Sequence, residues 1–234
     1  MRRKLKNRSM QLRCIVVLTL ITSLAFADDA SRCFGTTADG RLENGWKLPG
    51  SGTNFRSYST FGNLLGRTYV HSAVHAIVLE AYAALANEAP DKVFVYGETG
   101  KRSGGEFSPH RTHRNGLSVD FMVPLVDADG RSVPMRTHAF NKWGYDLEFD
   151  AAGRLDGWAI DAEAMAEHIY QLHRAAIASG VDIWRVIFDP LLQPLLHDTK
   201  RWSYLSENVT FSAQRAWVRH DEHYHVDFEI PCEP

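Results

Sequence analysis

Apolar residues recur at helical spacing through Val70, Val74, Ile77, Val78, Ala81 and Leu85, and Pro90 stops the run, which predicts a helix ending after Ala89. Val93-Phe94-Val95-Tyr96 then predicts a short strand closed by Gly97. Residues 98–116 carry Gly100, Gly104, Gly105 and Gly116 and predict a long loop, a length that is usually functional when ordered. Residues 117–123 alternate, with Leu117, Val119, Phe121 and Val123 on one face and Ser118, Asp120 and Met122 on the other. Residues 145–149 and 155–159 flank Asp150-Ala151-Ala152-Gly153 and predict a hairpin. A second helix is predicted over residues 161–179, with Asp161 as N-cap, Ile160 and Met165 as a hydrophobic staple, and Gly180 as the stop. Met165, Ile169, Leu172 and Ala176 form its core stripe. Residues 183–188 and 224–230 complete the strands, whereas residues 31–66, rich in Gly, Ser, Asn and Thr, predict a lead-in of surface loops. Strands and helices do not alternate regularly, so the predicted fold is α+β: a small antiparallel or mixed sheet, helices packed on one face and a cleft on the other.

The first residues follow a different logic. Residues 1–27 hold Arg2, Arg3, Lys4, Lys6, Arg8 and Arg13 with no acid, then an apolar run from Cys14 to Ala25 that closes on Ala25-Phe26-Ala27. This is the pattern of a cleaved secretory signal, and about twelve apolar residues fall short of the roughly 20 that span a bilayer. The expectation is a single exported, periplasmic domain over residues 28–234 with no stable membrane span. No Ser-, Pro- or Gln-rich linker and no internal repeat divides those residues. The whole chain carries 26 basic and 28 acidic side chains. Residues 28–234 keep 20 and 28, a net charge of −8, which argues against nucleic acid as a partner. Of three cysteines, Cys33 and Cys232 lie beyond residue 27, and an even pair in an oxidising compartment predicts one disulfide joining the two ends.

Eleven histidines, all beyond residue 27, carry the candidate chemistry. His110 and His113 precede Asp120, and His220, His223 and His225 fall together near the C-terminus. A His-x6-Asp spacing alone arises by chance in such a composition, but the His-x2-His-x-His cluster does not. Period two on the last strand puts His223, His225, Asp227 and Glu229 on one face and Tyr224, Val226, Phe228 and Ile230 on the other. Histidine and carboxylate donors from adjacent strands and a loop converge readily on one metal, and three such ligands with one open position characterise catalytic zinc. His71 and His75 lack the Glu of a His-Glu-x-x-His site and read as packing or surface residues; His138, His168, His173 and His197 are not assigned to the site. The chain has no Gly-x-Ser-x-Gly, no phosphate-binding glycine loop and no Ser-x-x-Lys, which leaves serine hydrolases and nucleotide enzymes without support.

His110-x-x-His113-x-x-Gly116-Leu117-x-x-Asp120, joined to His220-x-x-His223-x-His225, resembles the penicillin-insensitive murein endopeptidases, within the lysostaphin and D-alanyl-D-alanine metallopeptidase group. The resemblance implies that His113, Asp120 and His225 bind Zn2+, that His223 is the neighbouring general base or oxyanion partner, and that His220 and His110 support them, His110 in an outer metal position. It also implies a substrate: the cross-linked peptides of peptidoglycan, of D-alanyl-diaminopimelate type. Arg114 and Ser118 stand where the family usually has Gln and Asp. Glu222 and Asp227 are candidates to orient the imidazoles, and Arg111 and Arg114 to meet substrate carboxylates. Two other readings fit the same residues: a zinc D,D-carboxypeptidase trimming terminal D-alanine, and a catalytically silent zinc- or murein-binding module.

Overall fold

The computed structural model describes residues 30–234, so the expected signal segment and its cleavage site lie outside the described residues. Five strands make the main sheet: β1 (Phe55–Ser57), β2 (Phe94–Tyr96), β3 (Ser118–Met122), β4 (Asp182–Ile187) and β5 (His223–Glu229). Their spatial order is β4-β5-β3-β2-β1. All neighbours are antiparallel except β1 and β2, where Phe55 pairs with Phe94 in parallel, so the sheet is mixed. Among the described residues, four α-helices accompany it: α1 (Thr60–Leu64), α2 (Ser72–Glu88), α3 (Ala162–Ala178) and α4 (Trp202–Asn208). The fold class is α+β, as the pattern predicts.

Helices α2 and α3 pack against each other and against one face of the sheet. Tyr82 from α2 and His168 from α3 stack at 5.1 Å, and both meet Phe121 of β3 edge-on. The alternating apolar residues of β3 and β5, Val119, Phe121, Tyr224, Val226 and Phe228, are all buried there. Period two then requires Asp120, His223, His225 and Asp227 to face the opposite side. The helix caps are the predicted ones for α3, since the Asp161 carboxylate accepts from the Ala164 N–H at 3.0 Å and Gly180 follows the last turn at φ +70°.

Two expectations are corrected. Residues 31–66 are not merely loops: Arg32–Gly35 pairs with Gly40–Glu43, Trp46–Lys47 pairs with Tyr69–Val70, and β1 joins the main sheet. Strands of two to four residues are too short for period two to stand out against the glycines between them. The hairpin also lies elsewhere. Arg154–Leu155 pairs with Trp158–Ile160 around Asp156-Gly157, and residues 145–149 form no strand. Asp156 and Gly157 both have positive φ, the requirement of a two-residue type I′ turn that Asp-Gly meets at low cost. Cys33 and Cys232 form the predicted disulfide. Among the described residues, no helix is long and apolar enough to cross a membrane.

Candidate metal centre

The antiparallel register sets Asp120 of β3 directly opposite His225 of β5, with His223 across from Met122 two pairs further on. Both Asp120 and His225 point to the face away from the helices. The loop between β2 and β3 folds back over this face and delivers His110 and His113. His113 adopts a left-handed φ of +66°, and its imidazole is fully buried. Its Nδ1 lies 3.1 Å from the Thr99 carbonyl, which can only accept, so the proton sits on Nδ1 and Nε2 carries a lone pair. That Nε2 makes no hydrogen bond and faces Asp120 Oδ1 at 3.2 Å.

Asp120 is the hub. Its Oδ1 also meets His225 Nδ1 at 2.8 Å and lies 3.8 Å from His223 Nε2, while its Oδ2 accepts from the Tyr145 hydroxyl at 2.9 Å. His225 is held on its other side by Asp227 at 2.9 Å, and Asp227 in turn takes the Ser118 hydroxyl at 2.6 Å and Arg185 at 2.8 Å. Ser118 therefore donates to a buried carboxylate where an aspartate would repel it. His223 Nδ1 lies 2.9 Å from Glu222, and the His220 ring sits 4.6 Å from that of His223 with its Nδ1 on the Val218 carbonyl. His110 bonds Glu98 at 2.6 Å and approaches Asp120 Oδ2 at 3.9 Å.

Burial pushes the His113 pKa down and outweighs the pull of Asp120, so this imidazole is neutral. Burial opposes ionisation of Asp120 as well, but the His225 N–H at its Oδ1 holds it well below the usual carboxylate range. A neutral nitrogen lone pair and a carboxylate oxygen thus face each other at 3.2 Å in a dry site. This contact is repulsive unless a cation bridges it, and nitrogen and oxygen donors at this spacing suit a divalent metal. The potential ligand atoms of His110, His113 and Asp120 all lie within 4.8 Å of one another. His225 is not in that set and is tied to it by its hydrogen bond to Asp120 Oδ1. Burial lowers the pKa of His223 to about 4 and of His220 to about 3, which keeps both neutral. His225 is the opposite case: burial disfavours its charge, but Asp227 and Asp120 on either side raise it to about 10.

Of the six site residues singled out in the sequence, His110, Asp120, His220, His223 and His225 line one cleft of about 730 Å³, while His113 is fully buried and not part of its lining. The remaining histidines have other duties. His71 caps α2 by accepting from Ala73, His75 packs edge-on against Trp46, His173 takes the Tyr204 hydroxyl and His197 packs on Trp202. Arg111 lies on the cleft wall over Trp217, whereas Arg114 is not part of that wall. Sequence reading missed Tyr145 and Glu98. Burial opposes ionisation of Glu98, yet Arg67, His110 and Tyr58 around it bring its pKa to about 2. Neither residue belongs to a recognisable spacing; Tyr145 reaches Asp120 only through the path of the intervening chain.

Fold and site together define an α+β protein with a nitrogen- and oxygen-donor cluster at the floor of an open cleft. Residues 33–234 match the penicillin-insensitive murein endopeptidase family, and the chain belongs to that family. Membership sets it among the peptidases that act on murein. No curated protein matches the chain.

Proposed function

We propose that this chain is a zinc-dependent peptidoglycan endopeptidase, exported to the periplasm, that hydrolyses D-alanyl-diaminopimelate-type cross-links. The observation that carries the reading is the His113 Nε2 lone pair facing Asp120 Oδ1 in a buried site, with His225 on the same oxygen. His113, Asp120 and His225 would hold the ion, His225 on giving up the proton its Nδ1 shares with Asp120, with His110 at the outer edge. When bound, zinc supplies Lewis acidity, polarising an amide carbonyl and making water acidic near pH 7.

The protein's own groups supply the rest. His223, neutral and anchored through Nδ1 by Glu222, presents Nε2 to the cleft and accepts the proton of the attacking water there. The same nitrogen then returns a proton to the leaving amine. Burial raises the Glu222 pKa to about 8, so it anchors His223 largely as a neutral acid and adds no second negative charge beside Asp120. Tyr145 occupies Asp120 Oδ2 and takes the Glu98 N–H at 2.8 Å, which turns Oδ1 toward the imidazoles. Asp227 fixes the plane of His225.

The test is a digest of purified residues 28–234 with cross-linked muropeptide dimers, read by mass spectrometry. Monomers should appear, vanish with a chelator and return with zinc. Intact dimers in the presence of zinc overturn the reading, and products shorter by one alanine replace it with the carboxypeptidase.

A further inference from the structure

A second hollow of about 390 Å³ lies beyond Asp227, where β4 and β5 run past the cleft. It neighbours the cleft: Thr112 lines both. Its wall carries Trp184, which sits on the edge strand with half its surface exposed although Ile183 beside it is buried. The Trp184 ring is not loose. The Arg185 guanidinium lies 4.1 Å from its centroid, and Arg185 is held by the fully buried Asp227, the carboxylate that also fixes His225. The aromatic platform and the metal centre are therefore positioned by one residue. The lining also offers the hydroxyl side chains Thr36 and Thr37. Asn115, also in its lining and almost fully buried, has a side-chain oxygen with no hydrogen-bond partner.

We infer that this hollow is a glycan subsite that binds N-acetylated hexosamine units of the murein strand while the attached peptide lies in the cleft. A pyranose has an apolar C–H face that stacks on an exposed indole and a rim of hydroxyl and acetamido N–H donors for Asn115 and the threonines. A stem peptide suits the hollow less well. Its free carboxylates would meet Glu229, while the one cation in the lining, Arg185, is already paired with Asp227. The hexosamine units are neutral where the stem is attached, and no charge opposes them. The inference rests on the murein reading above, but its first test does not depend on turnover.

The full chain beyond residue 27 is titrated with the β-1,4-linked tetramer of N-acetylglucosamine, and binding is followed by calorimetry. Saturable binding is expected, weakened roughly tenfold in Trp184→Ala and largely kept in Trp184→Phe, which preserves a stacking face. Trp184 is half exposed, so neither change threatens the fold. In the second arm, Trp184→Ala should raise KM several-fold for cross-linked dimers that retain their sugars and leave kcat/KM for sugar-free peptide dimers unchanged. No binding of the tetramer by the unsubstituted protein overturns the inference, as does an equal loss on both dimers or loss of binding to sugar-free stem peptide alone. If no dimer is cleaved at all, the endopeptidase reading falls while the calorimetric arm still decides the subsite.

Discussion

At the scale of single residues, the site is organised around Asp120, whose two oxygens serve different partners. Oδ1 faces three imidazoles, and Oδ2 is taken by Tyr145. The proposed function assigns holding the metal to Asp120 and moving the proton to His223. His223→Ala should keep bound zinc near one equivalent and lower kcat by about 10²–10⁴, whereas Asp120→Ala should lose the metal itself; elemental analysis beside a dimer assay distinguishes them. Asp227→Asn removes the charge behind His225 while leaving an acceptor in place, and zinc affinity should fall about 10–100-fold in a competition titration with a chromogenic chelator. A change in kcat at saturating zinc larger than the change in affinity would contradict an orienting role. The gathering of these side chains on one face was legible in the sequence because period two on β5 puts His223, His225 and Asp227 on one face whatever their partners are. Tyr145 and Glu98 were not, since each reaches Asp120 or His110 from a loop, and loop paths leave no periodic trace.

At the scale of elements, long periodic segments were read to within one or two residues. Helix α3 begins at its predicted cap, and β3 and β5 fall where the alternation placed them. What escaped was short or set by turn chemistry: the Asp156-Gly157 turn and the two-residue pairings depend on φ values, not on hydrophobic period. Helix α3 also carries a titratable group into the core. His168 is fully buried among Tyr82, Phe94 and Phe121, its Nδ1 takes the Tyr224 hydroxyl, and burial lowers its pKa to about 3. Between pH 6.5 and about 3 the unfolded chain binds a proton here that the folded chain refuses, so this residue's contribution is intact above pH 6.5 and is lost as the pH falls through that window. The slope from one such group is at most about 1.4 kcal/mol per pH unit. His168→Phe keeps the aromatic packing and should flatten the acid limb of stability, measured by urea unfolding at pH 7, 6 and 5. Stranding the Tyr224 hydroxyl lowers stability by about 1–3 kcal/mol at every pH, an offset and not a slope. An unchanged slope would rule out His168 as the source.

At the scale of the whole molecule, the two ends of the described chain are tied together beside the sheet. The disulfide joins residues 199 apart, Gly35 and Glu233 exchange a backbone bond at 2.8 Å, Glu233 returns one to Cys33 at 2.9 Å, and Arg32 grips the Glu233 carboxylate. These contacts differ in strength. The Arg32–Glu233 pair is half exposed and contributes little, while closing a loop of this length in the unfolded chain stabilises the folded state by about 5 kcal/mol on the chain-entropy account. That is a large share of the roughly 5–15 kcal/mol by which domains are stable. The backbone bonds persist without the sulfurs, so the folded geometry should survive their loss and the effect should fall on the unfolded ensemble. A Cys33→Ser, Cys232→Ser chain is expected to lose about 3–5 kcal/mol of unfolding free energy while zinc affinity and turnover at 25 °C stay within twofold. Reductant should reproduce that loss in the unsubstituted protein and add nothing in the double variant. Equal stability with and without the disulfide would show that the paired ends, not the covalent link, close the molecule.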